Sequence, residues 1–278
     1  RRMRPRPPIK WVGSKRGLLR QFGPLLPKSP WDLYIEPFLG SGALFLYLVS
    51  SLFFHLWPCG AVLIDKNPEL MNFFTVVRDN LEELLADLRR HENTPEYFYR
   101  MRALNPEQLT PVQRASRFLY LNKTSYGGKG QSFGRIPKPR FLDEANLRLV
   151  SRALARPGVY LLQGDYRLAL FWAGPGAFVY LDPPYHLLKA ARNLYYTRAE
   201  APLAALEDGF DENDQRRLAE VFRELDRRGC LVMLSNSDTP FIRELYAGYD
   251  MRVVYARYTI NRGNSWARVP ELVIRNYS

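Results

Sequence analysis

At 278 residues the chain can bury one sizeable core, as a single large domain or a domain carrying an insertion. Hydrophobic residues at 46% and aromatics at 14% exclude a disordered chain, and 40 Lys and Arg against 28 Asp and Glu leave a charge of +12 that favours a polyanionic partner, nucleic acid first. Cys59 and Cys230 stand far apart without companion histidines, which argues against a disulfide framework or structural zinc and for a reducing cytoplasm.

In chain order, Arg1 to Pro8 is basic and proline-rich without the apolar middle of a signal peptide, and reads as a flexible arm. A strand is expected at Asp32–Phe38. The most apolar stretch, Ala43–Trp57, is broken by Ser50, Ser51 and His55 and falls short of the ~20 residues that span a bilayer, so it predicts a buried helix. Ala61–Asp65 is the next strand. From Pro68 to Pro157 no strand pattern occurs, only helical ones at Leu81–His91, Glu107–Lys123 and Asp143–Leu154. Strands resume at Val159–Asp165, Ala177–Leu181 and Cys230–Ser235. Met251–Ile260 and Glu271–Tyr277 follow too closely for a parallel crossover, so they predict an antiparallel hairpin at the sheet edge. The alternation implies an α/β fold with a mostly parallel, Rossmann-like sheet in 1–67 and 157–278, and a mostly helical insertion in 68–156.

Inside the insertion runs Thr124-Ser125-Tyr126-Gly127-Gly128-Lys129-Gly130-Gln131-Ser132-Phe133-Gly134, flanked by Lys123, Arg135, Lys138 and Arg140. Its glycines give backbone freedom while Lys, Gln, Ser and Tyr offer phosphate and base contacts, as a DNA-probing loop requires; an ordinary surface loop is the plainer alternative.

Three short patterns carry chemistry. Glu36-Pro37-Phe38-Leu39-Gly40-Ser41-Gly42 lies where a strand turns into a helix, and its glycines either let a nucleotide-like ligand approach the backbone or form a plain tight turn. Asp65 ends the next strand, where a carboxylate can accept from both ribose hydroxyls or else cap the helix starting at Pro68. Asp182-Pro183-Pro184-Tyr185 ends the strand Ala177–Leu181. Its two prolines remove N–H donors and leave carbonyls beside a carboxylate and an aromatic ring. A planar amine such as adenine N6 could give its two hydrogens to Asp182 and the Pro183 carbonyl while Tyr185 stacks on the base.

Taken in order, Lys10-Trp11-Val12-Gly13-Ser14-Lys15, the Glu36–Gly42 motif, Phe118-Leu119-Tyr120-Leu121-Asn122-Lys123, Asp182-Pro183-Pro184-Tyr185, Ser235-Asn236-Ser237-Asp238-Thr239 and Glu271-Leu272-Val273-Ile274-Arg275-Asn276-Tyr277 resemble the Dam family, the alpha group of adenine-N6 DNA methyltransferases, over nearly the whole chain. The resemblance implies an S-adenosylmethionine-dependent methyltransferase fold in which 1–67 and 157–278 are catalytic and 68–156 recognises DNA. It implies cofactor contacts from Trp11 and Lys15, from Phe38, from Gly40 and Gly42 to the methionine side, from Asp65 to the ribose, from Asp165 to the adenine, and from Asp182. Catalysis falls to Asp182, Pro183, Pro184 and Tyr185 on an adenine flipped out of duplex DNA. Lys123, Lys129, Arg135, Lys138 and Arg140 are expected at phosphates, Tyr126, Gln131 or Ser132 at base edges or in the gap left in the stack, and Asn122 among the DNA-binding residues.

The loop departs from Dam enzymes that read GATC, which carry a longer hairpin with Asn-Gly followed by a guanine-reading arginine; here Tyr126-Gly127-Gly128-Lys129-Gly130-Gln131 stands instead. No metal is expected, since the sulfonium supplies the leaving group and S-adenosylhomocysteine is the product. None of His55, His91 and His186 is assigned as a base. The expected setting is cytoplasmic, bacterial or phage-encoded and nucleoid-associated on double-stranded DNA. A monomer is expected, with no membrane and with an independently acting restriction endonuclease as a possible companion. The alternatives are transfer to RNA or a protein amide, a non-catalytic DNA-binding relative, and a NAD-linked oxidoreductase, in which Asp182-Pro183-Pro184-Tyr185 would have no task.

Overall fold

The computed structural model describes residues 4–11, 13, 15–50, 60–186, 209–259 and 266–278. Its seven described strands are β1 (Leu33–Glu36), β2 (Gly60–Asp65), β3 (Val159–Gln163), β4 (Ala177–Leu181), β5 (Leu231–Ser237), β6 (Asp250–Thr259) and β7 (Trp266–Arg275). The chain gathers into two compact units, Arg1–Ser14 with Leu39–Asp165, and Lys15–Phe38 with Tyr166–Ser278.

In the first unit β2 and β3 pair in parallel, Ala61 opposite Val159 through Asp65 opposite Gln163. Ala61, Val62, Leu63 and Ile64 are buried, which is why this strand reads as an unbroken apolar run. Asn67 caps the helix Pro68–Asp79 by accepting from Glu69 N and Leu70 N, with Pro68 in the first turn where its missing N–H costs nothing. That helix packs on Pro111–Thr124 and Glu144–Leu154 through Leu70, Phe73, Phe74 and Val77. Thr110 and Gln113 form a reciprocal capping box, so the helix expected from Glu107 begins at Pro111 and Glu107 falls in a separate short turn. Leu81–Leu88 is shorter than its expected span, and Asp143 caps Glu144–Leu154. Between Pro68 and Pro157 the one β-type pairing is an isolated bridge, Ser125 opposite Phe133.

His91 sits at the centre of an aromatic cluster, its ring stacked on Tyr120 and its nitrogens bonded to the Tyr97 hydroxyl and Ser116 Oγ. Burial holds its pKa down to about 4, so it is a neutral packing residue at physiological pH.

In the second unit the strand order is β1, β4, β5, β7, β6. β1 to β4 and β4 to β5 are parallel, while β5 to β7 and β7 to β6 are antiparallel, so the closing hairpin stands as expected. The helices Glu212–Arg227 and Pro240–Leu245 belong to this unit, and the first presents Leu218, Val221, Phe222 and Leu225 to the core. Parallel strands joined by helices and closed by an antiparallel pair make this a mixed α/β, Rossmann-like fold. The helix expected over Ala43–Trp57 is present from Ala43 to Ser50; its remainder and Cys59 lie outside the described residues.

Candidate active site

In the first unit, the turn after β1 is held by backbone geometry that only glycine adopts without strain. Gly40 has φ +50° and Gly42 φ +67°. A Cβ on Gly40 would lie 2.8 Å from Trp11 Cδ1 and Nε1, so the indole of the N-terminal arm rests directly on this glycine. Asp65, at the tip of β2, accepts from Gly40 N at 2.9 Å through one carboxylate oxygen and from Asn67 N at 3.0 Å through the other. The carboxylate therefore pins the glycine turn, while the helix cap belongs to Asn67. Asp165 lies two residues beyond β3 and is exposed.

The glycine-rich loop is closed by Tyr126 N to Ser132 O, Gly134 N to Thr124 O and Gly130 N to Ser125 Oγ. Tyr126, Gln131, Ser132, Arg135, Lys138 and Arg140 are exposed, and Lys123 and Lys129 are half-buried. Asn122 differs from its neighbours. It is 5% exposed, its oxygen accepts from Lys10 N, and its amide nitrogen donates to Lys10 O and Gly128 O. It clasps the N-terminal arm to the loop.

In the second unit, β4 delivers Asp182 beside Lys15 and Tyr185. The Lys15 ammonium is 2.9 Å from Asp182 Oδ1 and 4.5 Å from the centre of the Tyr185 ring. Oδ1 is buried, and the Lys15 ammonium is its charge partner there. The Tyr185 hydroxyl donates to Glu271 Oε2 at 2.8 Å, which fixes the ring. Phe38 stacks on Tyr166 with ring centres 5.1 Å apart and meets Phe210 edge-on. The resemblance quoted Glu271 without a role; its signal is an acid heading the apolar run Leu272-Val273-Ile274. His186 bonds through Nδ1 to Thr239 Oγ1.

Burial pushes the Asp182 carboxyl up to about 6; Lys15 pulls it down and Glu271 pushes it further up. An acceptor for amine hydrogens must be ionised, and lowering the pH protonates it. The rate kcat/KM is therefore expected to fall about tenfold per pH unit below about 6. Lys15→Met removes the stabilising cation, so the acid limb should move to higher pH in a methyl-transfer pH profile at saturating cofactor. A limb that stays in place would contradict the pairing.

Residues 11–260 match the family model of D12 class N6 adenine-specific DNA methyltransferases. The chain is 33% identical to the Type II methyltransferase M1.LlaDCHI of Lactococcus lactis subsp. cremoris over 98% of this chain and 95% of that protein. It is also 33% identical to the Type II methyltransferase M.MjaIII of Methanocaldococcus jannaschii, over 99% and 100% respectively. The DNA adenine methylase of Serratia marcescens is 31% identical over 91% of this chain and 92% of its own length.

Proposed function

The chain belongs to the D12 class of N6 adenine-specific DNA methyltransferases, and from that membership we propose how its residues divide the work. It is an S-adenosylmethionine-dependent enzyme that methylates adenine N6 in DNA. The observation that carries the assignment is the buried Asp182 carboxylate at the end of β4, paired with Lys15 beside the fixed ring of Tyr185.

The residues present suit the cofactor. The lack of a Cβ at Gly40 lets the Trp11 indole lie against the glycine turn, which brings two of the residues expected at the cofactor together. Asp65 ends β2 beside the glycine turn, where its carboxylate would meet the ribose hydroxyls, and the positively charged donor suits the acidic Asp182. Trp11, Lys15, Phe38, Gly40, Gly42, Asp65, Asp165 and Asp182 would hold it. When bound, S-adenosylmethionine supplies an activated methyl group and its leaving group, S-adenosylhomocysteine.

The adenine amine is a poor nucleophile because its lone pair is delocalised into the ring. Asp182 and the Pro183 carbonyl would accept its two hydrogens, which localises the lone pair on nitrogen and aims it. Tyr185 would stack on the base, with Pro184 keeping the segment rigid. As positive charge grows on nitrogen, the carboxylate stabilises it. With a pKa near 6, Asp182 can then hold the released proton before it passes to water. No metal takes part in this proposal.

A paired adenine must leave the stack to reach such a group, at a cost of a few kcal/mol. Lys123, Lys129, Arg135, Lys138 and Arg140 would offset that through phosphates, and Tyr126, Gln131 or Ser132 would meet bases or fill the gap. Lys138→Ala and Arg140→Ala should each reduce the salt slope of DNA binding by about one with stability unchanged. Asn122→Ala should instead lower stability by roughly 1–3 kcal/mol in urea titration, because it removes three part-buried bonds to Lys10 and Gly128 backbone groups. An unchanged urea midpoint for Asn122→Ala would refute the clasp.

We place the enzyme in the cytoplasm as a monomer on double-stranded DNA. The Type II names of its relatives support an independently acting restriction endonuclease as companion. Among the described residues no helix is long and apolar enough to cross a membrane. The test is transfer of label from methyl-tritiated S-adenosylmethionine to duplex DNA, RNA and protein, followed by nucleoside analysis. Label in N6-methyladenine of duplex DNA is expected; label confined to RNA or protein would refute the reading.

A further inference from the structure

Two buried amides behind the Asp182–Tyr185 segment have had no part in the chemistry so far. Gln215, in the first turns of the helix Glu212–Arg227, and Asn236, in β5, are both fully buried. Gln215 Nε2 donates to Pro184 O at 2.8 Å. Asn236 Nδ2 donates to Gln215 Oε1 at 3.0 Å, and Asn236 Oδ1 accepts from His186 N at 3.0 Å and Ser237 N at 2.9 Å. The Ser237 hydroxyl closes the circuit onto His186 O.

The relay has a single direction. It begins at a backbone N–H, which can only donate, and ends at a backbone carbonyl, which can only accept. Turning over either amide would set donor against donor or acceptor against acceptor at both of its contacts. Such a buried, connected network fixes geometry more than it adds stability. Its place is informative, because Pro183 and Pro184 have no N–H and cannot be tied down by their own nitrogens. The helix side of the tether is itself set by the reciprocal box of Asp211 and Asp214, and the strand side by the pairing of Asn236 with Leu272, next to Glu271. Glu271 holds the Tyr185 hydroxyl, so both ends of the Pro184–Tyr185 step are referred to the same strands.

We propose that Gln215 and Asn236 are positioning residues for methyl transfer: together they clamp the Pro184 carbonyl and the His186 amide, and thereby hold Asp182, the Pro183 carbonyl and Tyr185 in register for the base amine. The proposal rests on the reading of Asp182–Tyr185 as the base-holding segment. It also assigns the two neighbouring carbonyls different tasks. Pro184 O is committed inside the protein, which leaves Pro183 O as the carbonyl for substrate.

A misplacement of about 1 Å in a reacting group can lower a rate by about a hundredfold, so the relay should act on the chemical step and little on binding. Gln215→Met keeps length and volume but deletes both relay bonds. Its single-turnover rate is expected to fall roughly 10- to 100-fold, with S-adenosylmethionine and duplex DNA binding within about threefold of the parent. Gln215→Glu supplies the missing donor only when its carboxyl is protonated. Its rate relative to the parent should therefore approach one at pH 6 to 7 and decline as the pH is raised toward 9, a trend that loss of fold alone does not produce.

A folded Gln215→Met enzyme with the parent rate would overturn the proposal, and so would a Gln215→Glu ratio that stays flat across pH. The ratio remains decisive if the methionine variant does not fold. Asp182→Ala in the same assay separates the layers: if it keeps the parent rate, the base-holding reading itself has failed, and if it is inactive, the glutamine results bear on the relay alone.

Discussion

Replacing Asp182 by Ala is expected to lower the single-turnover rate of methyl transfer by roughly 10³-fold or more, while binding of DNA and S-adenosylmethionine changes little. Removing one preorganised partner of a developing charge typically costs 10²- to 10³-fold, and in the proposed mechanism the same carboxylate also localises the lone pair and receives the proton. Asp182 lies at the end of a strand whose five residues are all buried, so the loss of its carboxylate leaves β4 in place. Lys15 is the group most affected, because its ammonium is 5% exposed and loses the carboxylate 2.9 Å away. A double variant with Lys15→Met distinguishes the two effects. It should recover stability lost through the stranded cation without recovering transfer. Measurable turnover by either variant at the parent rate would remove Asp182 from the reaction.

Asp65→Ala is expected to produce the largest loss of cofactor affinity, accompanied by a fall in stability of roughly 2–4 kcal/mol. Both oxygens of this carboxylate hold backbone N–H groups, one on Gly40 in the glycine turn and one on Asn67, which caps the following helix. Its removal deprives two amides of a charged acceptor and frees a turn held at positive φ. Affinity measured by titration calorimetry should drop by at least ~30-fold, about 2 kcal/mol. Asp65→Asn keeps one acceptor oxygen but sets an NH₂ against a backbone N–H, so it should lose nearly as much. If Asp65→Ala bound the cofactor normally and unfolded at the parent urea midpoint, the turn would not depend on this residue.

The sequence discloses the fold where burial alone marks an element. β4 matches its expected span residue for residue because no position faces water, and β2 does so apart from one added residue, Gly60. β7 begins at Trp266 rather than Glu271, because Arg268 and Pro270 do not read as strand residues. The ladder with β6 nevertheless runs through Pro270 opposite Tyr255, whereas pairing with β5 starts only at Glu271, so the missing proline N–H breaks no bond on that side.

In the site, Asp65 was open between ligand contact and helix cap. The structure gives it another duty as the pin of the glycine turn, which no local pattern encodes because Gly40 is 25 residues away. Asn122 immediately precedes Lys123 and the glycine-rich loop, and only the fold reveals that its side chain is directed to Lys10 and Gly128. Gln215 and Asn236 are ordinary polar residues in their own segments. Their relation arises when the helix and β5 bring them together behind Pro184.

The central claim is that the extruded base lies against Tyr185 with its amine at Asp182. After the recognition site has been read from methylated DNA, 5-iodouracil can replace the target adenine in a duplex and be irradiated on the enzyme in the presence of S-adenosylhomocysteine. A covalent adduct is expected that peptide mass spectrometry locates at Tyr185 and that Tyr185→Ala abolishes. An adduct formed efficiently at another residue and unaffected by Tyr185→Ala would contradict the claim.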